Sequence, residues 1–255
     1  MSRRGGPKFI DVHCHLHDEV FDGDRDEVVK KALNCGVEII ITSTLNMREL
    51  EKALSIANKY DCIRVSAGFD PLNLSTLDVE EVAREVKRLR DKIVAIGEVG
   101  LDFFYVKGEE REKQIEIFRF WINVASELKL PLIVHSRSAG KYAVEILVEE
   151  GYDKVLMHAF DGSGEWALKG ASRGFMFSIP PSVIRSQQKV KLVKRIPIER
   201  LMVESDAPVL GPEPGKRNEP SNVVVSAVKI AEIKKIDLNR VCEELYLNSK
   251  SFFRL

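Results

Sequence analysis

Eight short apolar, β-branched runs set the terms on which this chain can fold: FIDVH (9–13), VEIIIT (37–42), IRVSAG (63–68), IVAIGE (93–98), PLIVH (131–135), KVLMH (154–158), GFMFS (174–178) and RLMVE (200–204). Runs this short, with few polar interruptions, read as strands covered on both faces, which is the condition of a parallel sheet. The segments between them carry helical spacing. Residues 26–34 end just ahead of Gly36, and over 109–129 the residues Ile115, Phe118, Ile122, Ala125 and Leu128 step by three or four. DVEEVAREVKRLRDK (78–92) puts acids in its first turn and bases in its last, as the helix dipole favours. Strand then helix, eight times in 255 residues, is the rhythm of an α/β fold of the (β/α)8 TIM-barrel type. A doubly wound open sheet shares the alternation, but no Gly-rich phosphate loop follows the first run. The expectation is one TIM-barrel domain over residues 1–255. Within it, GPEPGKRNEP (211–220) is a polar loop and DLNRVCEELYLNSKSFF (237–253) a last helix packed on the outside.

Charge narrows the partners only a little. Lys and Arg total 39 and Asp and Glu total 39, so no overall basic field advertises a polyanion, and nothing excludes one. The four cysteines, Cys14, Cys35, Cys62 and Cys242, lie far apart with no CxxC pair, and MSRRGGPKF has no apolar stretch of the kind a signal sequence needs. The chain is therefore expected in a reducing, cytoplasmic setting. No apolar run approaches the ~18 residues needed to cross a bilayer.

The polar residues sit where such a barrel puts its chemistry. His13 ends the first run and His15 lies two positions on, Glu98 ends the fourth, His135 the fifth and His158 the sixth, and Asp206 follows the eighth. In a barrel these carboxyl ends share one rim, so residues distant in sequence meet there. Four imidazoles and two carboxylates gathered without partners would be costly to bury, and a metal supplies the partner. Imidazole with carboxylate suits zinc, manganese, cobalt or iron; magnesium prefers oxygen ligands but stays among the candidates. Six donors exceed what one open tetrahedral site uses and match two divalent ions. His13, His15 and Asp206 are expected on the first and His135 and His158 on the second, with Glu98 bridging ions about 3.5–4 Å apart. Asp206 is the candidate general base and Glu98 the second catalytic carboxylate. His17 lies beyond the run and is expected at the surface or behind the ligands. Cys14 points away from His13 and His15 by strand alternation, as an inert buried thiol.

DVHCHLH, GEVGLD, the HSR after the fifth run, His158 in MHAF, ESDAP and GKRNEPSN resemble, in order and spacing, the TatD family of metal-dependent hydrolases within the amidohydrolase superfamily. The resemblance runs from Phe9 to the closing NSKSFFRL. It implies a (β/α)8 barrel, a divalent-metal centre at His13, His15, Glu98, His135, His158 and Asp206, and deoxyribonuclease activity with DNA as substrate. It implies no obligate protein partner. Two positions depart from the family's pattern. Asp70 in GFDP stands where a histidine is usual, and a carboxylate there favours a cation and repels a nearby phosphate. His17 followed by Asp18 stands where the family commonly has Asp, and neither is assigned a metal.

Phosphate recognition needs cations at the rim. Arg137, two residues past His135, is the expected substrate-binding residue, because a guanidinium can hold two phosphate oxygens at once. Lys216 and Arg217 in the last loop could add to the groove. Asp102 in GEVGLD is expected either at the substrate or behind a ligating histidine. Competing with a DNA phosphodiesterase are a hydrolase of amides, lactones or small phosphate esters, since barrels change substrate by changing loops, and a non-catalytic metal-binding scaffold.

Overall fold

The computed structural model describes residues 6–255. The leader-sequence reading of the amino end falls largely on residues 1–5, outside the described residues. Eight parallel strands follow one another in sequence order around a single sheet: β1 Phe9–Cys14, β2 Val37–Thr44, β3 Ile63–Ala67, β4 Ala95–Asp102, β5 Leu132–Arg137, β6 Val155–Met157, β7 Met176–Ile179 and β8 Leu201–Val203. Helices α1 Arg25–Asn34, α2 Met47–Lys59, α3 Thr76–Arg88, α4 Glu110–Leu128, α5 Gly140–Glu149, α6 Gly164–Ser172, α7 Gln187–Arg195 and α8 Val223–Lys234 follow the strands, and α9 Leu238–Phe253 ends the chain. This is the TIM barrel expected from the eight runs; the open sheet is set aside by the contact between the first and last strands. Local chemistry starts the helices where the sequence changes period. Asn46, Ser75, Ser163 and Ser186 each accept a backbone N–H at the head of α2, α3, α6 and α7.

The barrel closes through the segment beyond β8. The Asp206 N–H donates to the His13 carbonyl at 2.9 Å, and the His15 N–H donates to the Ala207 carbonyl at 2.7 Å. Between these strands lies the fully buried Asp11, whose carboxylate accepts the Ser205 N–H at 2.8 Å and the Ser205 hydroxyl at 2.5 Å. Burial still pushes Asp11 up to about 8, against the pull of those bonds. Closure therefore does two jobs: it removes the sheet edge and carries Asp206 to the imidazoles of β1.

Inside the barrel Ile10, Val12, Ile41, Ala95, Ile133, Leu156, Met176 and Met202 pack together with Phe253. The last helix thus departs from its expected place: it does not merely cover the outside, because its final turn lays Phe253 against the residues that fill the barrel. A second, larger apolar layer lies between the strands and the helices, with Trp121, Phe118 and Phe177 fully buried in it. No helix among the described residues is long and apolar enough to cross a membrane.

Two strands are irregular, and both carry ligand-type residues. Between Asp11 and Cys14, β1 runs three steps while β2 runs two, and between Ile96 and Val99, β4 does the same against β5. The extra residue of such a bulge re-aims the side chains around it. His13 lies in the first bulge and Glu98 in the second. The sequence expectation that Glu98 ends its strand is corrected: β4 continues to Asp102, and Glu98 turns inward from its middle.

Candidate active site

All six donors expected from sequence lie on one rim and face one another. His13 Nε2 is 3.4 Å from Glu98 Oε2 and 3.4 Å from Asp206 Oδ1. His15 Nε2 is 3.5 Å and 3.7 Å from the same two oxygens. On the other side, His135 Nδ1 is 2.6 Å and His158 Nε2 3.4 Å from Glu98 Oε1. The His13 and His158 rings stack with centroids 3.8 Å apart. Three overlapping sets have ligand atoms close enough to hold an ion: His13, His158 and Asp206; His13, His15 and Glu98; Glu98, His135 and His158.

The imidazoles are presented by what lies behind them. His15 Nδ1–H donates to the Ser43 carbonyl at 3.0 Å, His158 Nδ1–H to Glu204 Oε2 at 3.0 Å, and His135 Nε2–H to Asp102 Oδ2 at 3.1 Å. A neutral imidazole that spends its proton outward has its other nitrogen's lone pair facing inward, which is what a metal ligand requires. His13 Nδ1 hydrogen-bonds with Ser43 Oγ at 3.0 Å, while its Nε2 is buried with no hydrogen-bond partner. A buried nitrogen with no partner, set between two carboxylates, suits a bound cation. The residues therefore fit a divalent metal centre.

Electrostatics say the same. Burial alone would raise the Glu98 carboxyl, but the His158 charge and the close imidazoles of His13, His135 and His158 hold it well below the usual carboxylate range. Asp206 is lowered as well, its burial outweighed by the charges of His158, His13 and His15. Burial pulls His13, His135 and His158 down, yet the surrounding carboxylates win and lift them to about 9, 10 and 10. Without an ion, protons occupy the place of positive charge.

Other expected residues sort themselves by position. Asp102 lies behind His135 rather than at open space. It is buried, and its Oδ1 accepts the N–H groups of Phe104 and Tyr105 while Oδ2 takes the imidazole proton. Of the two places expected for it, this is the one behind a ligating histidine. His17 is buried, with Nδ1 against Thr42 Oγ1 at 3.0 Å and Nε2 3.2 Å from Glu49 Oε2, which removes the surface alternative. Cys14 is buried and its thiol lies against the Ile41 carbonyl. Arg137 is exposed at the rim of a cleft of ≈ 480 Å³ that also includes His135, His158, Asp206 and Arg185. Arg217 is not free for a groove: it pairs with Asp24 and lies over the Phe21 ring. Lys216 is likewise engaged, with Glu213 at 2.5 Å. Asp70 is half-buried, its Oδ1 holding the Leu72 N–H at 2.8 Å, and burial and the charges of Glu98 and Glu49 raise its carboxyl.

Three supporting residues escaped the sequence reading. Glu204, fully buried, holds His158 Nδ1, the Ala159 N–H at 2.8 Å and the Ser178 hydroxyl at 2.7 Å. Lys189, buried on α7, donates to the carbonyls of Ala159 at 2.6 Å and Phe160 at 2.8 Å, and burial drives it down to about 8. Asn218 ties the loop around Asp206, donating to the Ser205 carbonyl at 2.6 Å and the Val209 carbonyl at 2.8 Å. Glu204 and Asn218 lie inside ESDAP and GKRNEPSN, so their motifs were visible while their roles were not.

Comparison with known proteins agrees with this geometry. The model of the TatD related DNase family matches residues 10–254. A human protein named Deoxyribonuclease TATDN3 is 39% identical, the match covering 98% of this chain and 96% of that protein. A relative from Erwinia amylovora, named 3'-5' ssDNA/RNA exonuclease TatD, is 30% identical over 96% of this chain and all of its own length, 100%. The crystal structure of a TatD family hydrolase from Entamoeba histolytica superposes with a TM-score of 0.87 at 26% identity, covering 96% of this chain and 98% of that one. With that match across nearly its whole length, this chain belongs to the TatD family of metal-dependent hydrolases.

Proposed function

We propose that this chain is a phosphodiesterase acting on DNA, with two divalent ions in its centre. The observation that carries the two-ion reading is the division of Glu98: Oε2 faces His13 and His15 while Oε1 faces His135 and His158. His13, His15 and Asp206 would hold one ion and His135 and His158 the other, with Glu98 shared. Zinc or manganese suits these donors best, with magnesium the third candidate. Such ions supply Lewis acidity, neutralising charge on a phosphoryl group and making an attacking water more acidic. The protein's own part is positioning and proton transfer. Asp206, held ionised by its imidazole neighbours, is able to accept the proton of that water. Arg137 at the cleft edge is placed to take the non-bridging oxygens of a phosphate. DNA as the substrate is supported by the relatives named for nuclease activity. A cytoplasmic location belongs to the same reading, supported by four unpaired thiols.

Asp70 favours a second reading, a hydrolase of small amides, lactones or phosphate esters, because a carboxylate close enough to Glu98 and His135 to feel their charges disfavours a polyanion. One assay panel separates the two: single-stranded, duplex and abasic DNA, a generic phosphodiester and a lactone, each with magnesium, manganese and zinc. Cleavage of DNA, lost reversibly on chelation and lowered at least about 100-fold in Glu98→Gln and Asp206→Asn, is the expected result. DNA cleavage at full rate in chelator would sink the metal mechanism, and turnover of the lactone alone would select the second reading.

A further inference from the structure

Beside the imidazoles, the loop after β4 carries two aromatic rings into solvent: Phe104 is 50% and Tyr105 58% exposed. The rings meet edge to face with centroids 4.9 Å apart. The Arg137 guanidinium lies over both, 4.1 Å from the Phe104 centroid and 5.1 Å from that of Tyr105. Farther from the cleft, Tyr142 at the start of α5 is 45% exposed and leans on the buried Phe103, with centroids 5.1 Å apart. The Lys141 ammonium is 5.8 Å from the Tyr142 ring and 5.6 Å from the Trp166 ring of α6. Lys169 lies 4.4 Å over that same indole. Rings and cations therefore alternate from the cleft edge outward across two helices.

We propose that this strip is a track for single-stranded nucleic acid, holding the strand whose end enters the cleft. The proposal rests on the phosphodiesterase reading and adds the surface that holds the strand outside the cleft, at residues that take no part in the metal centre. Unpaired bases stack on exposed rings regardless of sequence, and cations between the rings meet the phosphates. A duplex has no free base faces to offer such rings, so only its phosphates would engage. Exposed rings flanked by ammonium and guanidinium groups also suit this occupant better than an apolar protein surface, which would have to desolvate those charges. The acid beside Lys141, Glu145, is 3.9 Å away, a loose contact that leaves the ammonium able to reach a phosphate.

Trp166 makes the track observable. The chain has two tryptophans, and Trp121 is fully buried, so quenching by an added oligonucleotide reports Trp166. The metal-loaded enzyme is titrated with phosphorothioate oligothymidylates of about three and about twelve nucleotides, against a duplex of the longer length. The expected result is quenching by the longer single strand, with affinity rising with length. Tyr142→Ala should weaken the longer strand by about tenfold while sparing the short one, and Tyr142→Phe should restore it. Trp166 is half-buried, so Lys169→Ala, with its thermal midpoint checked, serves as the variant that cannot act through misfolding; it too should weaken the longer strand and flatten the salt dependence. Equal affinity of the enzyme and its variants for the longer strand would overturn the track, as would duplex binding as tight as single-strand binding. So would a concentration-dependent dimer abolished by Tyr142→Ala, which would give the strip to a second copy. If DNA is still cleaved in any of these cases, the phosphodiesterase reading survives the loss of the track; if the enzyme turns over only the lactone, both fall.

Discussion

His158 is the residue on which most of the site's order converges. Its Nε2 faces Glu98, its ring stacks on His13, and its Nδ1–H is spent on Glu204. Glu204 is fully buried, and each of its oxygens has a defined donor: Oε1 takes the Ala159 N–H, and Oε2 takes the Ser178 hydroxyl and the imidazole. It cannot reach a substrate, so its effect must pass through His158. Replacing it with glutamine keeps the shape but removes the charge that favours the Nδ1–H tautomer. Glu204→Gln should therefore weaken metal binding about 10- to 100-fold, as loss of an outer partner of a ligating histidine does. A competition titration with a zinc chelator measures this directly. Unchanged metal affinity would mean that His158 is oriented by stacking alone.

At the scale of the strand, β4 shows why the ligands were easier to name than to place. Gly100 pairs with His135 across the β4–β5 ladder, has φ +140°, and a Cβ there would lie 2.1 Å from the His135 carbonyl oxygen. Both the backbone conformation and the close approach require glycine. Gly100→Ala should cost about 2–6 kcal/mol in urea unfolding, from strain and overpacking together, and should loosen the metal centre because it pushes on His135. Gly108→Ala provides the comparison: φ is +56° but nothing lies within 4 Å, so about 1–2 kcal/mol of backbone cost is expected with no effect on metal. If the two variants lose the same stability, contact with His135 is not what fixes Gly100. The sequence made the strands legible because apolar runs of that length have few other uses, and it made His13, His15, His135, His158 and Asp206 legible because they sit at or just past the runs' ends. It could not show the bulges at His13 and Glu98. Side-chain alternation assumes a regular strand, and a bulge is set by how the neighbouring strand pairs, which periodicity does not encode. Glu204, Lys189 and Asn218 stayed hidden for a related reason: their partners are backbone or side-chain groups 46, 30 and 13 residues away.

For the molecule as a whole, the rim cluster ties metal to pH and to the stability of the barrel, because β1, β4, β5 and the segments after β6 and β8 all contribute to it. In the metal-free protein His13, His135 and His158 keep their protons up to about 9, 10 and 10, against an ordinary value of 6.5. A raised histidine contributes stability that is fully present below pH 6.5 and is lost as pH rises through its folded value. Asp11, lifted to about 8 from 3.8, acts in the same direction between those values, since the folded chain there binds a proton that the unfolded chain has released. Lys189, lowered from 10.5 to about 8, acts oppositely over that interval and offsets one of the histidines. The balance is a metal-free barrel that loses stability from pH 7 to 9.5. Loaded protein should behave in reverse, because an ion displaces those protons, its affinity therefore rises with pH, and tighter binding to the folded state alone raises the midpoint. Thermal midpoints with excess chelator and with excess zinc, taken across that range, should diverge as pH increases. Parallel curves would mean that the ion does not compete with protons at these imidazoles, and a chelated midpoint that climbs over the same range would mean that the protons are not held there.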